Sequence, residues 1–85
     1  MAEDAQRKRL RYRAWHRGTK ESDIILGTFA DARLDGLDAA GLEAFERLLD
    51  VPDPVIYDWV TGRAPVPDEM DTPLIRDLLA FKIPV

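Results

Sequence analysis

An all-α fold, a compact five-helix bundle built from residues 1–85 as a single domain, is what this sequence predicts, and three observations predict it. Apolar residues recur at the spacing of a helix face, and Gly, Pro and Asp punctuate them at intervals too short for long elements. No stretch reads as a strand. Hydrophobic residues make up 46% of the chain, enough for a core, while cysteine is absent, so packing alone must hold the fold.

The first helix is expected from about Asp4 to Arg17. Tyr12 and Trp15 share one side of it, Arg9, Arg13 and Arg17 form a four-residue row on another, and Leu10 and Ala14 fall on neither. The second helix, about Lys20 to Leu34, presents Ile25 and Phe29 at i, i+4, flanked by Ile24 and Leu26. Gly27 inside it costs about 1 kcal/mol relative to alanine, and a close helix crossing would explain its presence. Asp38 caps the third helix, Leu37 is placed to staple onto Leu42, and Leu42, Phe45, Leu48 and Leu49 form its core stripe. Its acids, Glu43, Glu46 and Asp50, lie away from that stripe and read as a solvated face, not as an acid–base pair.

Asp53-Pro54 reads as a cap followed by proline at the first helical position, opening a short fourth helix that Gly62 closes. Val55, Ile56, Trp59 and Val60 supply its apolar residues, with Trp59 a core residue beside Tyr57. Arg63 to Asp71, with Pro65 and Pro67, is expected to be a stiff extended connector. Thr72-Pro73 caps the fifth helix, whose buried face should hold Leu74, Ile75, Leu78, Leu79 and Phe81 before Pro84 ends it.

The most informative stretch joins the first two helices. Arg17-Gly18-Thr19-Lys20-Glu21 packs a helix stop, a helix start and two opposite charges into five residues. Gly18 can take positive φ without a Cβ clash, and Thr19 can cap the next helix by accepting from the amide of Glu21 or Ser22. Glu21 then sits in the first turn, where the helix dipole favours an anion. Such punctuation is ordinary in itself, but it also places charged groups at a rigid corner suited to contact with another molecule.

The run Tyr12-Arg13-Ala14-Trp15-His16-Arg17-Gly18-Thr19-Lys20-Glu21-Ser22-Asp23 resembles the Arg-Gly-x-x-Glu region of the small FAD assembly factors of succinate dehydrogenase, the SdhE family. Phe29, Leu34, Leu37, the Phe45/Leu48-Leu49 block, Asp53-Pro54, Tyr57-x-Trp59 and Thr61-Gly62 continue the likeness, which covers about residues 7 to 82. Ser22 departs from it, since that position is often apolar in the family. The resemblance implies a five-helix bundle that binds the flavoprotein subunit of succinate dehydrogenase or fumarate reductase and promotes covalent attachment of FAD to a histidine of that subunit. On that reading Arg17, Gly18 and Glu21 dock on the partner, with Arg9, Arg13, Lys20 and Asp23 as flanking contacts. FAD belongs to the partner and no cofactor to this chain; neither membrane insertion nor nucleic acid is expected, and the free protein should be a monomer.

Composition agrees on what is missing. A chain of 85 residues buries only about 60% of its unfolded surface, which leaves little room for an enclosed active site. With one histidine, His16, and no cysteine, neither a zinc site nor a nucleophile–base pair can be assembled; His16 is better placed to help end its helix. Glycines at 18, 27, 36, 41 and 62 fit no phosphate-cradling motif. The chain is read as a non-enzyme. No apolar run approaches a membrane span and no secretory h-region follows the basic N-terminus, which is read as part of the fold, so a cytoplasmic protein is expected.

Charge is uneven. Residues 1–20 carry seven Lys/Arg against two acids, a net of +5, and residues 21–85 carry five against fourteen, a net of −9. A basic arm on an acidic body suits an oriented protein partner. The alternative is a small nucleic-acid-binding regulator or antitoxin-like protein that uses the arginines of the first helix with Tyr12 and Trp15 interleaved.

Overall fold

Residues 5–81 are described by the computed structural model. Among them run five α-helices and no strand: α1 (Ala5–Trp15), α2 (Lys20–Arg33), α3 (Ala39–Leu49), α4 (Asp53–Val60) and α5 (Pro73–Ala80), with single 3-10 turns at Leu34–Gly36 and Asp68–Met70. The all-α expectation holds. α1 packs against α2 and α3, and α5 against α3 and α4. Phe29 and Phe45 are fully buried at the centre with ring centroids 6.3 Å apart, and Phe81 meets Phe29 edge-on at 5.4 Å. Pro84 lies outside the described residues.

Local chemistry accounts for the element ends. Asp38 accepts from the Gly41 amide at 2.8 Å, and Thr72 from the Ile75 amide at 3.3 Å, so both expected caps form. Gly62 closes α4 at φ +81, letting the amides of Arg63 and Ala64 turn back onto the Asp58 carbonyl at 2.8 and 3.3 Å. The fourth helix starts differently from the expectation. Pro52 occupies the cap position and Asp53 is the first helical residue, because the Asp53 carboxylate faces a cation instead of its own helix amides. The connector of residues 63–71 is not extended throughout, since Asp68–Met70 coil into a turn.

Burial settles the face of α1 that the sequence left open and changes one expectation on α5. Leu10 and Ala14 are fully buried and form the α1 seam, whereas Tyr12 is 64% exposed and lies stacked on His16 at 3.9 Å. This i, i+4 pair is what an arginine-rich helix buries completely against its neighbours, and the small Ala14 suits a close approach of the backbones. Gly27 shows how close: a Cβ there would sit 2.2 Å from the Trp15 indole, whose Nε1 donates to Asp31 at 3.3 Å. The close crossing anticipated from Gly27 is thus a ring lying flat on a bare backbone. On α5 the buried stripe is Leu74, Ile75 and Leu78, and Leu79, one residue further round, is 41% exposed.

Candidate functional site

The corner between α1 and α2 is assembled from both directions. α1 stops at Trp15, two residues earlier than expected, as the His16 Nδ1–H donates to the Tyr12 carbonyl at 2.7 Å and Gly18 reverses the chain at φ +114. No atom lies within 4 Å of where a Gly18 Cβ would stand, so glycine is required there for its backbone angle and not for space. Gly18→Ala is therefore expected to cost about 1–2 kcal/mol in urea unfolding, all of it conformational. Thr19 then caps α2, its hydroxyl accepting from the Ser22 amide at 3.2 Å. Thr19→Ala should lower stability by about 1 kcal/mol, read in the same experiment.

Underneath, two charged side chains lock the corner to the body. Asp23 accepts from the Arg17 backbone amide at 2.6 Å. The Arg17 side chain, only 10% exposed, crosses to the elbow between α3 and α4: Nε donates to Asp53 Oδ1 at 2.8 Å, one terminal nitrogen to the Leu49 carbonyl and the other to the Val51 carbonyl at 2.6 Å. The Leu49 carbonyl ends α3, where the helix dipole is negative, the Val51 carbonyl follows in the elbow, and the carboxylate begins α4, so a planar cation with a fork of donors satisfies all three.

This changes the part expected of Arg17. Its guanidinium is fully engaged inside the chain, and what the corner offers outward is the backbone of Gly18 with the exposed side chains of Lys20 and Glu21. Neither Lys20 nor Glu21 has a partner among the described residues, nor has the exposed Arg9. Arg13 is tied to Asp50 at 3.0 Å in an exposed pair. Asp23 is half-buried beneath Gly18 and acts as a strut. Two shallow grooves flank the ridge. One is lined by Trp15, His16, Gly18, Thr19, Lys20, Asp23 and Ile24; the other by Thr19, Glu21, Ser22, Asp53, Pro54 and Tyr57.

Asp53 and Tyr57 were not among the expected site residues. Nothing local in the sequence marks Asp53 as the counter-ion of Arg17, because the two stand 36 positions apart. Tyr57 is 38% exposed while Trp59, two residues on, is core, and only the packing beneath α4 decides which of the two aromatics faces solvent.

The basic arm is also not the free electrostatic stripe that a nucleic-acid reading needs. Arg7 donates to the Leu34 and Leu37 carbonyls at 3.3 and 2.6 Å, Arg11 meets Asp31 and Asp35 at 3.4 and 3.1 Å, and Arg13 and Arg17 are paired as above. Most of the positive charge of α1 straps it to the acidic body. Among the described residues no group of three His, Cys, Asp or Glu could hold a metal ion, and no helix is long and apolar enough to cross a membrane.

Comparison with known proteins matches residues 8–82 to the family model described as flavinator of succinate dehydrogenase. A bacterial relative from Acetobacter pasteurianus, named FAD assembly factor SdhE, is 45% identical over 93% of this chain and 75% of its own length. Mitochondrial proteins named succinate dehydrogenase assembly factor 2 are 37% identical in Dictyostelium discoideum, over 82% of this chain, and 46% identical in Mycosarcoma maydis, over 78%. The chain spans 50% and 28% of the lengths of those two.

Proposed function

The chain belongs to the family of flavinators of succinate dehydrogenase, and from that premise we propose that it is an assembly factor that binds the flavoprotein subunit of succinate dehydrogenase and promotes covalent attachment of FAD to it. The flavoprotein subunit of fumarate reductase is the alternative partner of the same kind. The attachment chemistry belongs to the partner, which carries the FAD, and this chain donates no catalytic group. It works as a monomer in the cytoplasm, without entering the membrane.

The observation that carries this reading is the stiff, outward corner. Gly18 allows close backbone approach, Lys20 and Glu21 stand unpaired on either flank among the described residues, and Arg17 and Asp23 hold the turn from below. A ridge that is already ordered loses little conformational freedom on docking, so its contacts convert into affinity and into selection of one partner conformation. Gly18 and Glu21 touch the partner; Arg17 acts through them as a positioning residue.

The test is coexpression with the apo flavoprotein subunit at limiting factor concentration, scored by flavin fluorescence retained in a denaturing gel. The chain should raise the covalently bound flavin several-fold. Glu21→Ala should remove most of that gain while melting within about 2 °C of the parent, as suits an exposed side chain without an internal partner. Full flavin attachment with Glu21→Ala, or the same yield without the chain, would discard the proposal.

A further inference from the structure

The groove between the start of α2 and the start of α4 holds two polar groups, the Ser22 hydroxyl and the Glu21 carboxylate, that the fold itself does not use. Ser22 is 6% exposed and is the one buried polar residue among those described, yet its hydroxyl has no hydrogen-bond partner there. Every enclosed side-chain nitrogen or oxygen among the described residues does have a partner, so the Ser22 Oγ is not fully enclosed, and the groove is the surface this residue lines. Beside it stand the unpartnered carboxylate of Glu21, the Asp53 carboxylate with 21% of its side chain exposed, and the Tyr57 ring, 38% exposed. An acceptor at the floor, acids at the rim and an aromatic wall describe a slot for a planar cation.

We propose that this groove receives one arginine side chain of the flavoprotein partner, with Glu21 as its counter-ion, the Ser22 hydroxyl as a further acceptor and the Tyr57 ring as its stacking face. The inference rests on the proposed function and adds the chemistry the partner must present. Arginine fits better than lysine because its flat fork of donors can meet a carboxylate and a hydroxyl in one plane while its face lies on an aromatic ring. An anion is disfavoured although two helices begin here: Glu21 already places an unpartnered negative charge at the start of α2, the Asp53 carboxylate stands at the start of α4 with Arg17 as its counter-ion, and the Ser22 amide is taken by Thr19. Ser22, the departure from the family pattern noted in the sequence, supplies an oxygen where an apolar side chain would offer none.

The experiment measures affinity between the full chain and the apo flavoprotein subunit for the parent, Glu21→Gln, Tyr57→Leu, Tyr57→Phe and the Glu21→Gln/Tyr57→Leu double variant, each checked by thermal melting. Removing the counter-ion should weaken binding about tenfold or more, and removing the ring about fivefold. The double variant should lose clearly less than the product of the two, because both groups hold the same side chain, and Tyr57→Phe should recover most of what Tyr57→Leu loses. In an alanine scan of the partner's surface arginines, one substitution should make Glu21→Gln nearly silent. Parent-like binding by Tyr57→Leu, independent losses in the double variant, or a scan in which no arginine couples to Glu21 overturns the slot while leaving the assembly-factor reading standing. Absence of any complex with the parent chain overturns both.

Discussion

Arg17→Ala is expected to unfold the protein at a midpoint about 15 °C below the parent, corresponding to a loss of about 3 kcal/mol. The size follows from what is left behind. The carbonyls of Leu49 and Val51 lose their donor, and Asp53 loses the cation it faces at 2.8 Å in a setting where the arginine is only 10% exposed. Breaking a largely buried pair costs more than the pair is worth, because the surviving partner keeps its desolvation penalty. Lysine should recover no more than about 1 kcal/mol, as a single ammonium cannot reach two carbonyls and a carboxylate in the fork geometry the site demands. Thermal and urea unfolding of Arg17→Ala, Arg17→Lys and Asp53→Asn checks this. Were Arg17→Ala to melt within about 3 °C of the parent, the clamp would contribute nothing of consequence. The result also separates two kinds of lost function: Glu21→Ala should fail to bind while folded, whereas Arg17→Ala should fail because the ridge has lost its support.

The second large effect concerns a single methyl group. Gly27→Ala is expected to destabilise the chain by about 2–3 kcal/mol, although alanine is the better helix former, because its Cβ would fall 2.2 Å from the Trp15 ring and the indole must be driven off its seat. The sign should reverse once the ring is gone. In a Trp15→Ala background the three atoms nearest to that Cβ are gone, and the helix should gain up to about 1 kcal/mol from losing a flexible glycine. A four-member cycle of urea unfolding curves measures this. Equal penalties in both backgrounds would mean that Trp15 is not what glycine at position 27 accommodates.

How much of this was legible beforehand depended on the range of the interaction. The caps at Thr19, Asp38 and Thr72 and the turn at Gly18 are settled by residues within four positions of one another, and each was readable from side-chain chemistry. The core stripe of α3 was equally plain, since its apolar residues keep one helical face. The seam of α1 was not, because the aromatic pair Tyr12 and Trp15 outweighs Leu10 and Ala14 in any count of apolar bulk, and only the neighbouring helix decides which side is covered. Arg17 was recognised as important, but where its charge would be used was hidden. Its partners lie 32 to 36 residues downstream, two of them are backbone carbonyls with no side-chain signature, and the third, Asp53, looked like a local cap. The exposure of Tyr57 is hidden in the sequence for a similar reason, since on so short a helix the turn that faces solvent is set by what packs beneath it.

The bond between positions 17 and 53 also bears on how this chain can diverge. An acid at 53 that drifted to a neutral residue would strand a guanidinium under the surface, and loss of the guanidinium would strand the acid, so neither change is tolerable first. Lineages should therefore carry both or have exchanged both together, and a column-by-column comparison of many descendants should find the two positions statistically tied despite the 36 residues between them. Glu21, if it docks on the flavoprotein as proposed, should vary in step with that partner instead.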